Sequence, residues 1–156
     1  MTRVIDGGIT APSGFRAAGV ACGIKRAPAA GQPPALDLAL VAAGGPVPTA
    51  AVFTTNRAVA APVVVSREHL DRSGGRTAAV VINSGCANAC TGAAGDTVAR
   101  EMAEVTAAAL GCDVERVLIA STGVIGVALD IRKIRTGVAE AARILSADGG
   151  AAATRA

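Results

Sequence analysis

The sequence predicts an α/β fold, and two observations carry that expectation. A strand–loop–helix unit occurs twice in the second half, over residues 77–110 and 116–146. The first half holds short, small-residue and β-branched runs broken by Gly and Pro. Each unit of the second half puts a glycine-containing polar loop at the end of a strand, where α/β proteins usually place their chemistry. At 156 residues the chain suffices for one domain with a real core, taken as 1–156.

The elements follow in order. Residues 15–25 are mostly small and apolar and read as β; residues 28–34 read as a loop. Residues 36–41 form a strand, and Gly44-Gly45-Pro46 marks the turn after it. Residues 49–54 and 60–65 are two further strands separated by Thr55-Asn56-Arg57. The β-branched triplet Val63-Val64-Val65 suits a strand buried on both faces. His69, the only histidine, falls in a surface turn of helix over 66–70.

In the second half, residues 77–82 form a strand and Asp96 caps a helix. The apolar stripe of that helix is Val98, Met102, Val105 and Ala109, and Gly111 follows its end. Residues 116–120 form another strand. Asp130 caps a second helix with the stripe Ile134, Val138, Ala141 and Leu145. Residues 149–156 carry no pattern.

Composition removes several function classes. Hydrophobic residues are 51% and charged residues 17%, so the chain is not disordered. Its 15 basic and 12 acidic residues give a scattered +3, which argues against nucleic acid. The only aromatic residues, Phe15 and Phe53, offer no stacking platform. No run reaches the ~18 apolar residues of a membrane span, and MTRVIDGGITAPSG has no apolar leader core, so a cytoplasmic protein is the default. The mean hydropathy of +0.48 suggests a surface meant to be covered by another chain.

Cys22, Cys86, Cys90 and Cys112 read as buried free thiols. Cys86 and Cys90 have CxxxC spacing, too few partners for zinc and no intervening base to activate a thiol. In VINSGCANACTG (81–92), Ser84 and Cys86 lack a base in reach, and Asn83, Ser84 and Asn88 read as turn and cap formers. The stretch ASTGVIG (120–126) runs from a strand into Ser121, Thr122 and Gly123. Hydroxyls and N–H groups can converge there on an anion or oxyanion, or can merely satisfy a polar turn. There is no GxGxxG and no GxxxxGK[ST]. Arg132 and Lys133, in the first turn of the last helix, are either a solvated face or an electrostatic draw for an anion.

Five runs together resemble one family. ITAPSGFRAAGVACGIK (9–25), DLALV (37–41), AVFTTNRAVAAPVV (51–64), VINSGCANACTG and IASTGVIG (119–126) occur in the order seen in glutamate N-acetyltransferases, also called ornithine acetyltransferases. The resemblance implies a layered α/β sandwich, with mixed sheets and helices packed outside. It implies a precursor that cuts itself before a threonine, which becomes the N-terminal nucleophile of a β chain. This sequence resembles the N-terminal part of the α chain of an α2β2 heterotetramer. The implied reaction moves acetyl from N-acetylornithine to glutamate in arginine biosynthesis. No metal or bound cofactor is implied, though some relatives also use acetyl-CoA as a substrate. The family's oxyanion residues map onto Thr122 and Gly123.

The sequence departs from that family at its end. It stops at Ala153-Thr154-Arg155-Ala156, before the TTD-type and AKG-type motifs and the cleavage site. Thr154 does not match the nucleophile's surroundings. The expectation is a truncated α chain, or one whose remainder is a separate chain, inactive alone. The alternatives are a paralogous acyltransferase of a secondary-metabolite pathway, a non-catalytic anion-binding α/β module and an assembly subunit without a site of its own.

Overall fold

The computed structural model describes residues 8–26 and 29–156. Two expectations fall partly outside them: the leader reading of the first seven residues, and the start of the loop at Pro28.

Four strands form one mixed sheet in the order β1 (Phe15–Val20), β2 (Leu38–Pro48), β3 (Arg76–Cys86) and β4 (Val117–Val124). The pairs β1–β2 and β2–β3 are antiparallel; β3–β4 is parallel. The helices are α1 (Ala61–Arg72), α2 (Gly92–Leu110), α3 (Ile131–Ile144) and α4 (Gly150–Arg155). The parallel pair needs a crossover, and α2 supplies it.

Strand alternation chooses the core. Val20, Leu38, Leu40, Val81, Val117 and Ile119 point to one face and are buried with Val65 of α1, Met102 of α2, and Ile134 and Val138 of α3. The opposite face meets α4 beside β1. There Gly19 allows the contact, since a Cβ on it would lie 2.8 Å from the Ala153 nitrogen.

Several elements follow the sequence reading. Gly111 ends α2 in the left-handed region at φ 67°. The Asp130 side chain accepts the Arg132 N–H and caps α3. Ile134, Val138 and Ala141 are buried, and Leu145 packs against the same core.

Others differ, each for a physical reason. β2 does not turn at Gly44-Gly45-Pro46 but runs on to Pro48. Its register against β3 shifts between Ala42 and Val47, so an irregularity absorbs the glycines and proline. Residues 49–54 form no strand. Residues 60–65 open a helix rather than a strand. Pro62 sits in its first turn, where a missing N–H costs nothing. Of the three valines only Val65 is fully buried, while Val64 is 37% exposed. The burial of Ala61, Val65, Ser66 and His69 on one helical face outweighs β-branched propensity. His69 is therefore in the core, not in a surface turn.

α2 begins at Gly92, so Asp96 is an exposed helix residue and not its cap. The buried face is Gly95, Ala99, Met102, Ala103, Thr106 and Ala107, with Val98 and Val105 at its margin and Ala109 exposed. Small residues let the helix approach closely, which hydropathy alone understates. Residues 149–156, expected to be patternless, contain α4. Among the thiols Cys86 is buried, Cys22 and Cys112 are half-buried, and Cys90 is exposed; all are free. Cys90 departs from the expected burial: it lies outside the strands and helices, in the bend before α2, at φ 57°. Among the described residues no helix is long and apolar enough to cross a membrane. No group of three or more His, Cys, Asp or Glu among them could hold a metal ion.

Candidate functional site

The parallel pairing of β3 and β4 brings both polar motifs to one end of the sheet. Asn83 lies opposite Ser121, Ser84 opposite Thr122, Gly85 opposite Gly123 and Cys86 opposite Val124. Both strands run several residues past the ends expected from sequence. Ser121, Thr122 and Gly123 thus belong to a strand rather than a loop. The first four residues after Ile82 in the other motif are strand as well.

β4 is the edge of the sheet, and its two halves differ. In the first half α1 satisfies the backbone: Ser66 Oγ donates to Ile119 O at 2.7 Å and accepts from Ile119 N at 2.9 Å. His69 Nδ1 lies 2.8 Å from Val117 O. A carbonyl only accepts, so Nδ1 carries the proton here. His69 is thereby committed to structure. At ~3.3 Å per residue, Val117 is about 17 Å of strand away from Thr122.

The second half of the edge is open. Val117 and Ile119 present their polar atoms away from β3, whereas Val124 O accepts from Ala87 N on the β3 side. Alternation therefore turns the N–H groups of Ser121 and Gly123 outward. The side chain of Thr122, an exposed residue, stands beside that of Ser84 on the sheet face opposite the main core. Among the described residues, neither the Thr122 hydroxyl nor the adjacent Gly123 N–H has a partner.

Gly123 is required by space as well as by torsion. Its φ is 130°, and a Cβ there would lie 2.6 Å from the Cys86 nitrogen. Gly85, at φ 105°, is hemmed in from another side: its Cβ would lie 3.1 Å from Lys25 N and 3.2 Å from Ile24 Cγ2.

That neighbouring loop is held by Asp37, a residue the sequence reading passed over. Its carboxylate accepts from Cys22 N and Ile24 N at 2.6 Å each and from Lys25 N at 2.9 Å, and its own carbonyl accepts from Ser84 N at 2.9 Å. Burial alone would raise this carboxyl, but the N–H donors of Cys22, Lys25 and Ile24 together hold it below the ordinary carboxylate range. Burial, followed by the bond to Asp37, pushes the Cys22 thiol up to about 12, so it is no nucleophile at neutral pH. Lys25 Nζ donates to Leu36 O at 2.7 Å and to Ala156 O at 3.0 Å, and Ser84 Oγ also donates to Ala156 O. The one signal for Asp37 in the sequence was an acid at the head of an apolar strand.

The rest of the 81–92 stretch, residues 87–91 ahead of α2, behaves as the turn expected of it. Asn88, 1% exposed and at φ 46°, donates to Gly95 O and accepts from Thr91 Oγ1. Asn83 and Ser84, expected as turn formers, are strand residues instead, because pairing with β4 extends β3 to Cys86. Asn83 is fully buried and donates to Cys86 O at 2.9 Å. Arg132 and Lys133 do not reach toward Thr122: Arg132 pairs with Asp130 at 2.9 Å, and Lys133 Nζ donates to Gly23 O at 2.5 Å.

Comparison with known proteins gives a consistent outcome. Residues 16–156 match the model of the ArgJ family. The arginine biosynthesis bifunctional protein ArgJ of Gloeobacter violaceus is 52% identical over 132 residues, covering 85% of this chain and 31% of that protein. The protein of the same name from Symbiobacterium thermophilum is 48% identical over 152 residues, covering 97% and 36%. The chain thus spans about a third of the length of the curated relatives it matches. Among solved structures, ornithine acetyltransferase of Mycobacterium tuberculosis, complexed with ornithine, superposes with a TM-score of 0.84 at 46% identity. That match covers 95% of this chain and 77% of the other. An ArgJ protein of Bacillus halodurans gives 0.84 at 34% identity, covering 96% and 74%. The mixed sheet and packed helices are therefore those of the ornithine acetyltransferase fold.

Proposed function

The chain belongs to the ArgJ family, and from that premise we propose that it is the N-terminal part of the α chain of a glutamate N-acetyltransferase. On this reading it works in arginine biosynthesis, moving acetyl from N-acetylornithine to glutamate. The nucleophile is the N-terminal threonine of a β chain, carried by the part of the protein beyond these residues. The assembly is a heterotetramer of two α and two β chains, cytoplasmic and without metal or bound cofactor.

The observation that carries the reading is the open end of β4. There the Thr122 hydroxyl and the outward Gly123 N–H are neighbours with no partner found for either among the described residues. Acetyl transfer needs such a pair. The β-chain threonine oxygen attacks the acetyl carbonyl carbon while its own α-amine takes the hydroxyl proton. The carbonyl oxygen becomes O⁻ and is met by Thr122 and Gly123. Collapse breaks the C–N bond, and the α-ammonium returns the proton to the departing ornithine amine. The glutamate amine then attacks the acetyl-threonine by the same steps reversed.

The test is Thr122→Ala in the complete, self-cleaved enzyme. The expected result is normal assembly with kcat for acetyl transfer lowered by about 10²–10³. Unchanged turnover would remove Thr122 from the reaction.

A further inference from the structure

We infer that Asn83 is a positioning residue for the Gly123 donor, acting through the backbone of Cys86. The inference rests on the oxyanion reading of Thr122 and Gly123.

The chain of contacts is short and each link is specific. Asn83 has no exposed surface. Its Nδ2 donates to Cys86 O at 2.9 Å. A carbonyl can only accept, so the amide nitrogen must face it; neither a carboxylate nor an apolar side chain can take its place. That carbonyl belongs to the Cys86–Ala87 peptide, whose N–H donates to Val124 O at 2.9 Å, so one peptide is held by Asn83 at one end and by the residue after Gly123 at the other. The bond thereby holds Cys86 in place after Gly85, which at φ 105° has little torsional preference of its own.

The Gly85–Cys86 peptide is the surface on which Gly123 rests, close enough that a Cβ on Gly123 would lie 2.6 Å from Cys86 N and 2.7 Å from Gly85 O. From its other side Gly85 is backed by Ile24 and Lys25. Cys86 joins the two peptides: its N–H side packs on Gly123 and its carbonyl side is tied to Asn83 and, through Ala87 N–H, to Val124. Cys86 therefore cannot shift without moving Gly123, and its place depends on Asn83. An oxyanion donor works only when aimed at the place where charge develops, so a small error at Cys86 is felt at the Gly123 N–H. Asn83 lies on the core face of β3, across the strand pair from Ser121, with no surface open to a substrate.

The experiment uses the complete enzyme carrying Asn83→Asp, Thr122→Ala or both, with active sites counted by titration. Asn83→Asp keeps the shape and removes the donor. The expected result is kcat per titrated site lowered about 10–100-fold with KM for N-acetylornithine unchanged. The double variant should lose less than the product of the two single losses, because both residues serve one oxyanion. A residue that only supports the fold would lower the titrated fraction and leave kcat per site intact, and that result overturns the inference. If Asn83→Asp does not assemble, Asn83→Leu, which adds no charge, carries the same comparison. Failure of both to assemble also overturns it. Loss in Thr122→Ala with none per site in the Asn83 variants sinks the positioning role alone. No loss in Thr122→Ala sinks the oxyanion reading on which it rests.

Discussion

Gly85 and Gly123 face each other across the parallel pair β3–β4, and the backbone of one occupies the space a Cβ on the other would need. Each has a φ in the region that favours glycine, 105° and 130°. Two motifs far apart in sequence therefore depend on each other for their shape.

The contact predicts the effect of Gly123→Ala. The methyl would meet the Gly85–Cys86 backbone, which cannot yield as a flexible side chain can. Overpacking plus torsional strain should cost more than about 2 kcal/mol and displace the N–H donor. Denaturant unfolding of the complete protein, alongside the rate of the proposed acetyl transfer, measures both. A variant with native stability and rate would show that the two strands part more easily than their packing implies.

Asp37→Asn tests the loop that backs Gly85. The amide cannot accept three N–H bonds without turning its own NH2 toward a donor. The expected loss is about 2 kcal/mol or more at neutral pH. The folded carboxyl lies below its ordinary value, so its contribution is complete above the unfolded pKa of about 3.9 and is lost as pH falls through the lower folded value. The stability gap between native and variant should persist from neutral pH down to about pH 4 and narrow only below that. A gap that closes between pH 7 and 5 would point to a different group.

Ser66→Ala tests the covered half of the β4 edge. Ser66 Oγ serves both the N–H and the carbonyl of Ile119 in a buried setting. Its loss leaves two backbone groups unpaired, at a cost of about 1–3 kcal/mol. Hydrogen exchange should speed up at Ile119 before the centre of β3 responds. An unchanged Ile119 rate would mean that another group covers the edge.

Much of the second half was legible because its signals are local. Asp130 as a cap and Gly111 as a helix end depend on a few neighbouring residues, and both were found where the sequence put them. The first half was less legible. Val63, Val64 and Val65 favour a strand locally, yet only one of them faces the core, and no local pattern says where that core will be. Alanine and glycine defined the buried face of α2 by their smallness, a signal hydropathy hardly registers.

Sequence alone determined the α/β class, the order of strand and helix in the second half, and the match of five runs to one family, which singled out Thr122 and Gly123. It also marked the 81–92 stretch as a turn, which holds for residues 87–91 only. Tertiary structure decided that β3 and β4 pair in parallel with Ser84 beside Thr122 and Gly85 beside Gly123. That pairing turns residues 83–86 of the supposed turn into strand and sets them beside Ser121–Val124. It also decided that Asp37 and Asn83 hold the surrounding backbone. The reason is range: caps and turns are set by bonds within a few residues, whereas strand register is set by burying one face of the whole sheet.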